Sequence, residues 1–487
     1  MTPDIVIAGH GPAAHRLVQR LRQYGYQGRI SVFGAERRPA YQRPLLTEVL
    51  GGRLSPHALA LPGLMAEADV HEGVTVTAVD RRRGLVHADD GGSYPYGTLV
   101  LATGARPRIP ELPGLRTPGG ALDDRVTALR TLDDCLRIVP APRTRGARVR
   151  EAGPRESAVT VLGAGVLGVE AAVALRDGGH DVSLVHPAPW PMERRLDATA
   201  GLLLGERLEQ LGIRMLLGRT ALAYRSGALL LDGGERVPAR RLVVCAGTVP
   251  ETVLARQCGL AVRTGIVVDG ELRTSDARVR AVGDCAEYEG VPGGSVLTAW
   301  EQADVLARLL TGGESRFRGG RLAVRLRARD VELAVLGAPN APHDGDPAHE
   351  VVTLTDRARG RYARLVLREG RVQSAVLLGL PRAIAAVTQL YDLDRPVPAD
   401  RLSLLLGAPP ATSGWSGPPE DGIVCACSGV TRAAVRQAWR DGAPDLASVA
   451  AATRATTGCG GCEQDVRALC EVRRAGTAGH SLEGGTR

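Results

Sequence analysis

The chain has 487 residues, of which 44% are apolar, 23% charged and 3% aromatic, with a net charge of +8. At roughly 150 residues per domain that is material for about three domains. Every basic residue is arginine, which excludes Schiff-base and lysine-nucleophile chemistry and the P-loop, whose signature needs lysine. Arginine and acid alternate and aromatics are too few to interleave with a basic face, so a nucleic-acid surface is not expected. No apolar run reaches the ~18 residues of a membrane span, and a strand that begins almost at Met1 leaves no room for a signal peptide. Nine cysteines, several closely spaced, fit metal ligation in a reducing compartment better than a disulfide framework, so a cytoplasmic protein is expected.

Ile5 to Ala8 is a short apolar run followed by Gly9-His10-Gly11-Pro12-Ala13-Ala14. A helical pattern through Leu17, Val18 and Leu21 comes next, then a second strand, Arg29 to Phe33, ending near Glu36. Strand, glycine turn, helix, strand and acid together predict a dinucleotide site. The first glycine permits the tight turn, the second lets backbone amides approach a pyrophosphate, and the helix N-terminus holds the negative charge. Glu36 suits a ribose hydroxyl, and Ala14 stands where the strictest pattern has glycine.

The densest arginine run, Arg143 to Arg155, also carries Gly, Pro and Glu; it reads as a solvated loop, with a docking patch for an acidic partner as the alternative. A second strand and turn follow: Ala158 to Leu162, then Gly163-Ala164-Gly165-Val166-Leu167-Gly168-Val169-Glu170, a helix to Leu175 and a strand from Asp181 to Val185. Two dinucleotide folds in one chain imply two dinucleotides, most economically FAD and NAD(P)H with a hydride passing between them. The position after that last strand is His186 and not an acid. The choice between NAD and NADP is therefore open: Arg194 or Arg195 is available for a 2′-phosphate, and His186 is either a nucleotide contact or a plain surface histidine.

Three segments, Tyr41-Gln-Arg43-Pro44-Leu-Leu46, Leu99-Val-Leu-Ala102-Thr103-Gly104-Ala-Arg-Pro107 and Ala281-Val-Gly283-Asp284-Cys-Ala286, resemble the FAD-contacting stretches of the pyridine-nucleotide flavoprotein reductases. Within that superfamily Met192 to Gly201 and Ala299 to Ala303 resemble the NADH-binding part of the assimilatory nitrite reductase large subunit and of the assimilatory nitrate reductase electron-transfer subunit. The resemblance implies that Asp284, after Gly283, hydrogen-bonds the ribityl chain. It also implies that Arg43, Pro44, Ala102, Thr103 and Gly104 line the pyrophosphate and flavin edge, that Val76 contacts FAD, and that the helix carrying Trp300 aims its N-terminus at the flavin pyrimidine. Gly247 joins the glycine turn on the NAD(P) side. Hydride transfer between stacked rings needs little from side chains, so no general acid or base is expected. Some relatives carry a lysine shortly after the Arg-Pro pair; this chain has Thr47-Glu48. The paired cysteines of disulfide and thioredoxin reductases are also missing: the first cysteine is Cys135, and Cys245, Cys258 and Cys285 are isolated and read as structural.

From Phe317 to Gly407 short alternating strands precede a helical stretch, Arg382 to Tyr391, as in the small α+β interface domain of the superfamily. A Pro-, Gly- and Ser-rich linker carrying Trp415 follows. Cys425-Ala-Cys427 and Cys459-Gly-Gly-Cys462 then offer four thiolates for one soft metal centre, iron-sulfur or zinc. Thr431 is placed to cap a helix from Arg432 to Arg440, a second short helix runs from Leu446 to Ala452, and Gly458, Gly460 and Gly461 leave amides for cluster sulfurs. The stretch resembles the [2Fe-2S] domain of bacterioferritin-associated ferredoxin, which implies iron over zinc. Cys470 reads as a core residue.

The expected fold is α/β, with an FAD-binding Rossmann-like domain (1–118 plus 252–315), an NAD(P)-binding one (119–251) and an α+β interface domain (316–407). A linker (408–421), a helical [2Fe-2S] domain (422–475) and a disordered tail (476–487) complete it. The expected function is electron transfer from NAD(P)H through FAD and the cluster to a nitrate or nitrite reductase catalytic subunit on a separate chain, since no cysteine after Cys470 could serve a further metal module. An FAD-dependent amine or opine dehydrogenase component, which needs no second nucleotide, and a bacterioferritin-docking or iron-sensing protein are the alternatives.

Overall fold

A computed structural model describes residues 4–139, 158–338, 346–407, 422–425, 430–443, 445–453, 455–456, 462–463 and 465–470. The segment with the arginine run, the linker with Trp415, Cys427, Cys459, Gly458, Gly460, Gly461 and the tail lie outside these residues. The chain divides into two units, Met1–Ala323 and Val324–Arg487.

The first unit holds two five-stranded sheets. Strands Ile5–Ala8, Ile30–Gly34, Asp69–Glu72, Thr98–Leu101 and Val279–Ala281 form one, with Val279–Ala281 at one edge, then Thr98–Leu101, Ile5–Ala8, Ile30–Gly34 and Asp69–Glu72. Every pairing in it is parallel. The all-apolar runs follow from this, because a parallel strand covered on both faces has no polar side to show. The second sheet runs Arg214–Leu217, Asp181–His186, Ala158–Leu162, Arg241–Val244, Val126–Ala128, again all parallel. Thr248–Pro250 pairs antiparallel with Ala105–Pro107 where the chain returns from the second sheet to the first.

With so few aromatics the core is aliphatic, and Leu17, Leu21, Ile30, Leu99 and Val279 are fully buried beneath the first sheet's helices. The two phenylalanines, both buried, sit in small aromatic groups: Phe33 stacks on His71 at 4.5 Å, and Phe317 meets Tyr288 edge-on at 5.2 Å. Helix Pro12–Gln23 is joined to helix Val296–Leu310 by Asp304, which accepts from Arg16 at 2.7 and 2.9 Å and from Arg20 at 2.9 Å. These two helices flank the first glycine turn, so the ion pair fixes the direction in which both N-termini point.

In the second unit strands Leu333–Leu336, Arg371–Leu378, Arg361–Arg368 and Glu350–Asp356 make an antiparallel sheet entered through Ala323–Arg325, with helix Pro381–Asp392 packed on it. Further on, Ile423–Cys425 pairs with Val430–Thr431, and helices Arg432–Arg440 and Leu446–Thr453 follow. Thr431 caps the first of these, its Oγ1 accepting from the Ala434 amide at 3.1 Å. No described helix is long and apolar enough to cross a membrane.

Candidate cofactor sites

Both glycine turns are forced by close backbone approach. Gly9 has φ +119°, and a Cβ there would lie 2.1 Å from the Ala102 carbonyl oxygen, so only glycine fits where strand Thr98–Leu101 ends. Gly163 repeats the geometry at φ +108°, with the Cys245 carbonyl oxygen 2.4 Å from a would-be Cβ. Gly11 and Gly165, the N-cap residues of helices Pro12–Gln23 and Val166–Asp177, have no atom within 4 Å of that position and face open space. Neither helix carries a side-chain cap, whereas Thr131, Asp197, Ser295 and Thr431 cap theirs. Two helix N-termini are thus left with free amides beside open space, the arrangement that receives a phosphate.

Around the first turn the charged groups are tied to one another. Arg43 donates to Glu36 at 2.8 Å, Tyr41 donates to the same carboxylate at 2.8 Å, and the guanidinium lies 4.9 Å over the Tyr41 ring. Burial pushes the Tyr41 hydroxyl well above its ordinary pKa, so it stays a donor. Arg43 also donates to the carbonyl of Arg130 at 3.2 Å, and Arg130 in turn donates to Asp284 at 2.6 Å and to the Ala105 carbonyl at 3.0 Å. The Asp284 carboxylate therefore already has a cationic partner. Thr103 donates its hydroxyl to the Glu251 carbonyl at 2.7 Å, and Gly104, at φ +74°, accepts from the Glu251 amide at 2.9 Å. Pro44 begins the helical turn Arg43–Leu45 with Arg43, and Val76 opens the antiparallel strand Val76–Asp80. Gly283, at φ +81°, packs against Ala13; its amide donates to the Gln302 side chain at 2.7 Å. Ala14 and Trp300 are buried, the latter in helix Val296–Leu310, whose N-cap Ser295 accepts from the Leu297 amide.

Arg130 and Gln302 escaped the sequence reading, because each acts on a residue far away along the chain with no local pattern to mark it. His10, inside the turn, has both ring nitrogens buried without a partner among the described residues; burial lowers its pKa against the opposing charge of Glu36, which keeps it neutral. Glu48, shortly after the Arg43-Pro44 pair, accepts from Arg53 at 2.6 and 3.0 Å. Arg53 reaches on to Asp177 at 2.7 Å, tying helix Leu46–Leu50 to helix Val166–Asp177.

At the second turn Val166 and Leu167 open the helix, Glu170 is buried in it, and Gly168 presses on the turn, with a would-be Cβ 1.8 Å from the Gly163 oxygen. Gly247 has φ +95° and accepts from the Arg108 amide at 2.9 Å. Arg194 is exposed. His186 is not a surface histidine: it is 8% exposed, its Nδ1 accepts from the Ala164 amide at 3.3 Å and its Nε2 lies 2.8 Å from Glu193.

Of the four paired cysteines, Cys425 and Cys462 are described and both are buried, and the Thr456 amide donates to the Cys462 sulfur at 3.2 Å. An amide aimed at a sulfur fits a thiolate ligand. Burial pushes the thiols of Cys135 and Cys245 up to about 12 and raises that of Cys285, while Cys285 donates to the carbonyls of Leu101 and Val282 at 3.3 Å. These three are inert core residues.

The family model for pyridine nucleotide-disulphide oxidoreductases matches residues 3–304. The chain belongs to that family. A second model, the BFD-like [2Fe-2S] binding domain, matches residues 423–471. The cofactors are accordingly FAD, NAD(P)H and a [2Fe-2S] cluster, and the chain is an oxidoreductase. It is 31% identical to a nitrite reductase [NAD(P)H] of Bacillus subtilis, the match covering 96% of this chain and 57% of the relative. It is also 28% identical to the assimilatory nitrate reductase electron transfer subunit of the same organism, over 96% of this chain and 59% of the relative. The chain thus spans little more than half the length of these relatives. Among solved structures a ferredoxin reductase from Rhodopseudomonas palustris superposes with a TM-score of 0.71 at 28% identity, covering 83% of this chain and 98% of that one.

Proposed function

We propose that the first glycine turn holds FAD, the second holds the nicotinamide nucleotide, and Cys425, Cys427, Cys459 and Cys462 hold the cluster. In this reading the chain moves electrons from NAD(P)H to a nitrate- or nitrite-reducing centre on a separate polypeptide. The observation that carries it is the doubling of the glycine turn with an uncapped helix in one unit, followed by a cysteine domain in the other. Held at the first turn, FAD would supply hydride acceptance and one-electron release, and a [2Fe-2S] cluster on the four cysteines would supply one-electron transfer.

The side chains bind and orient. The amides after Gly11 and Gly165 meet pyrophosphate charge, and the N-terminus of helix Val296–Leu310 supplies partial positive charge where negative charge builds. Glu36 and Asp284, held by Arg43 and Arg130, present fixed acceptor oxygens to sugar hydroxyls. No residue is asked to move a proton. The nitrate- or nitrite-reducing destination is supported by a relative whose name is that of an electron transfer subunit.

The test is anaerobic titration of the purified protein with NADH and then NADPH, following visible and EPR spectra and metal content. Flavin bleaching with a reduced [2Fe-2S] signal is expected, then nitrate or nitrite reduction on adding the catalytic partner. Bound zinc, or a flavin that neither nucleotide reduces, refutes the reading.

A further inference from the structure

The second nucleotide fold lacks an acid at the end of its second strand, the place from which a carboxylate receives the 2′-hydroxyl of an adenosine ribose. The structure returns a carboxylate to that place by another route. Strand Asp181–His186 ends on a buried imidazole. The Ala164 amide, in the middle of the glycine turn, donates to Nδ1 at 3.3 Å, so the ring proton sits on Nε2 and is donated to Glu193 Oε2 at 2.8 Å. The loop that carries Glu193 is itself hung on the turn, the Met192 amide donating to the Ala164 carbonyl at 2.9 Å. Turn, imidazole and carboxylate form one chain, and Glu193 keeps 29% of its side chain exposed with Oε1, among the described residues, approached only loosely by Arg194 at 3.7 Å.

We propose that Glu193, positioned by His186, is the ribose-binding carboxylate of the second nucleotide site and selects NADH over NADPH. This rests on the reading of that turn as the nicotinamide nucleotide site. A hydroxyl donates to the free carboxylate oxygen, whereas a 2′-phosphate brings two negative charges against it. Three cations lie on the same loops. Arg194 is 89% exposed and leans on Glu193; Arg195 is half-buried, and that burial lowers its pKa; Arg219, whose amide bonds the His186 carbonyl, has its guanidinium 3.9 Å from Glu235. None of them is locked to the imidazole, as the carboxylate is, so the fixed charge at this point is negative.

The experiment uses the full chain loaded with FAD. Steady-state rates with NADH and NADPH, with ferricyanide as acceptor, are measured beside calorimetric binding of ADP-ribose and its 2′-phosphorylated form. A charge-assisted hydrogen bond predicts a preference for NADH and for ADP-ribose of about 10- to 100-fold. Glu193→Gln raises the KM for NADH and weakens ADP-ribose by about 10-fold while kcat and flavin content hold. His186→Ala moves the same KM in the same direction, and the double variant adds little to either single one, as expected of two residues acting as one unit. A wild-type preference for NADPH, or a Glu193→Gln variant with an unchanged nucleotide ratio, overturns the assignment while leaving the wider function intact. If neither nucleotide nor ADP-ribose binds, the assignment of the second turn falls and this inference falls with it.

Discussion

Gly168→Ala isolates a single steric demand. Alanine in place of glycine inside a helix ordinarily gains about 1 kcal/mol. Here the added Cβ would lie 1.8 Å from the Gly163 oxygen and 2.9 Å from its carbon, and Gly163 is itself backed against Cys245. The turn has nowhere to retreat, so the helix must slide by more than about an ångström to reach ordinary contact. Overpacking of this kind costs about 1–3 kcal/mol, which cancels the propensity gain and lowers Tm by a few degrees at about 2–4 °C per kcal/mol. The same slide carries the helix amides away from the proposed pyrophosphate site, and a displacement of about 1 Å in a positioning element costs on the order of 100-fold. The variant should keep its flavin but show a KM for the nicotinamide nucleotide raised at least about tenfold. Gly205→Ala is the control: it sits in helix Ala198–Gln210 with neighbours no closer than 3.8 Å, so the same change should stabilise by up to about 1 kcal/mol. A Gly168→Ala protein with parental Tm and KM would refute the steric argument.

Arg130→Ala removes the cation that holds Asp284 but leaves the backbone carbonyl that Arg43 bonds; the flavin-to-protein ratio after desalting should fall well below that of the parent, and a full ratio would show that Asp284 needs no such anchor. Asp304 is pulled two ways: burial raises its pKa, but the hydrogen bonds and charges of Arg16 and Arg20 win and hold it below the ordinary carboxylate range. Its stabilising contribution is therefore present above the unfolded-state pKa and lost as pH falls through the lower folded one. The Tm gap between wild type and Asp304→Asn should be full at pH 6 and shrink steadily below about pH 4; a gap independent of pH would contradict the pairing. Cys462→Ser should spare nucleotide-dependent reduction of ferricyanide, lose the [2Fe-2S] EPR signal and abolish electron delivery to the proposed nitrate- or nitrite-reducing partner. Delivery that persists would place the path elsewhere.

The parts of the fold that could be read in advance are those in which one local pattern does one job. Gly9 and Gly163 stand in apolar strand-to-helix turns whose spacing already demands a positive φ, and the alternating strands after Phe317 and the Thr431 cap were equally plain. What escaped depends on distance along the chain. Arg130 finds Asp284 across 154 residues, and Gln302 reaches back 19 to bond the Gly283 amide. His186 and Glu193 are only seven apart, but the proline-rich stretch between them hides the fold-back that joins the pair. A histidine at a strand end gives no sign of whether it faces water or accepts from the turn beside it; the Ala164 amide decides that, and only three-dimensional register brings it there.

The strand order of the first sheet also sets a timetable for making the protein. Val279–Ala281 closes that sheet against Thr98–Leu101, so its edge stays open while the whole second sheet, from Val126 to Val244, is being synthesised. At 5–20 residues per second, the roughly 180 residues between those two strands take about ten to forty seconds to emerge. The second sheet is built from one continuous stretch and can fold as it leaves the ribosome, whereas the first has long-range pairing to await. A nascent chain halted before residue 279 would carry a finished inner fold inside an unfinished outer one, with an apolar strand edge exposed at Thr98–Leu101 for chaperones to shield.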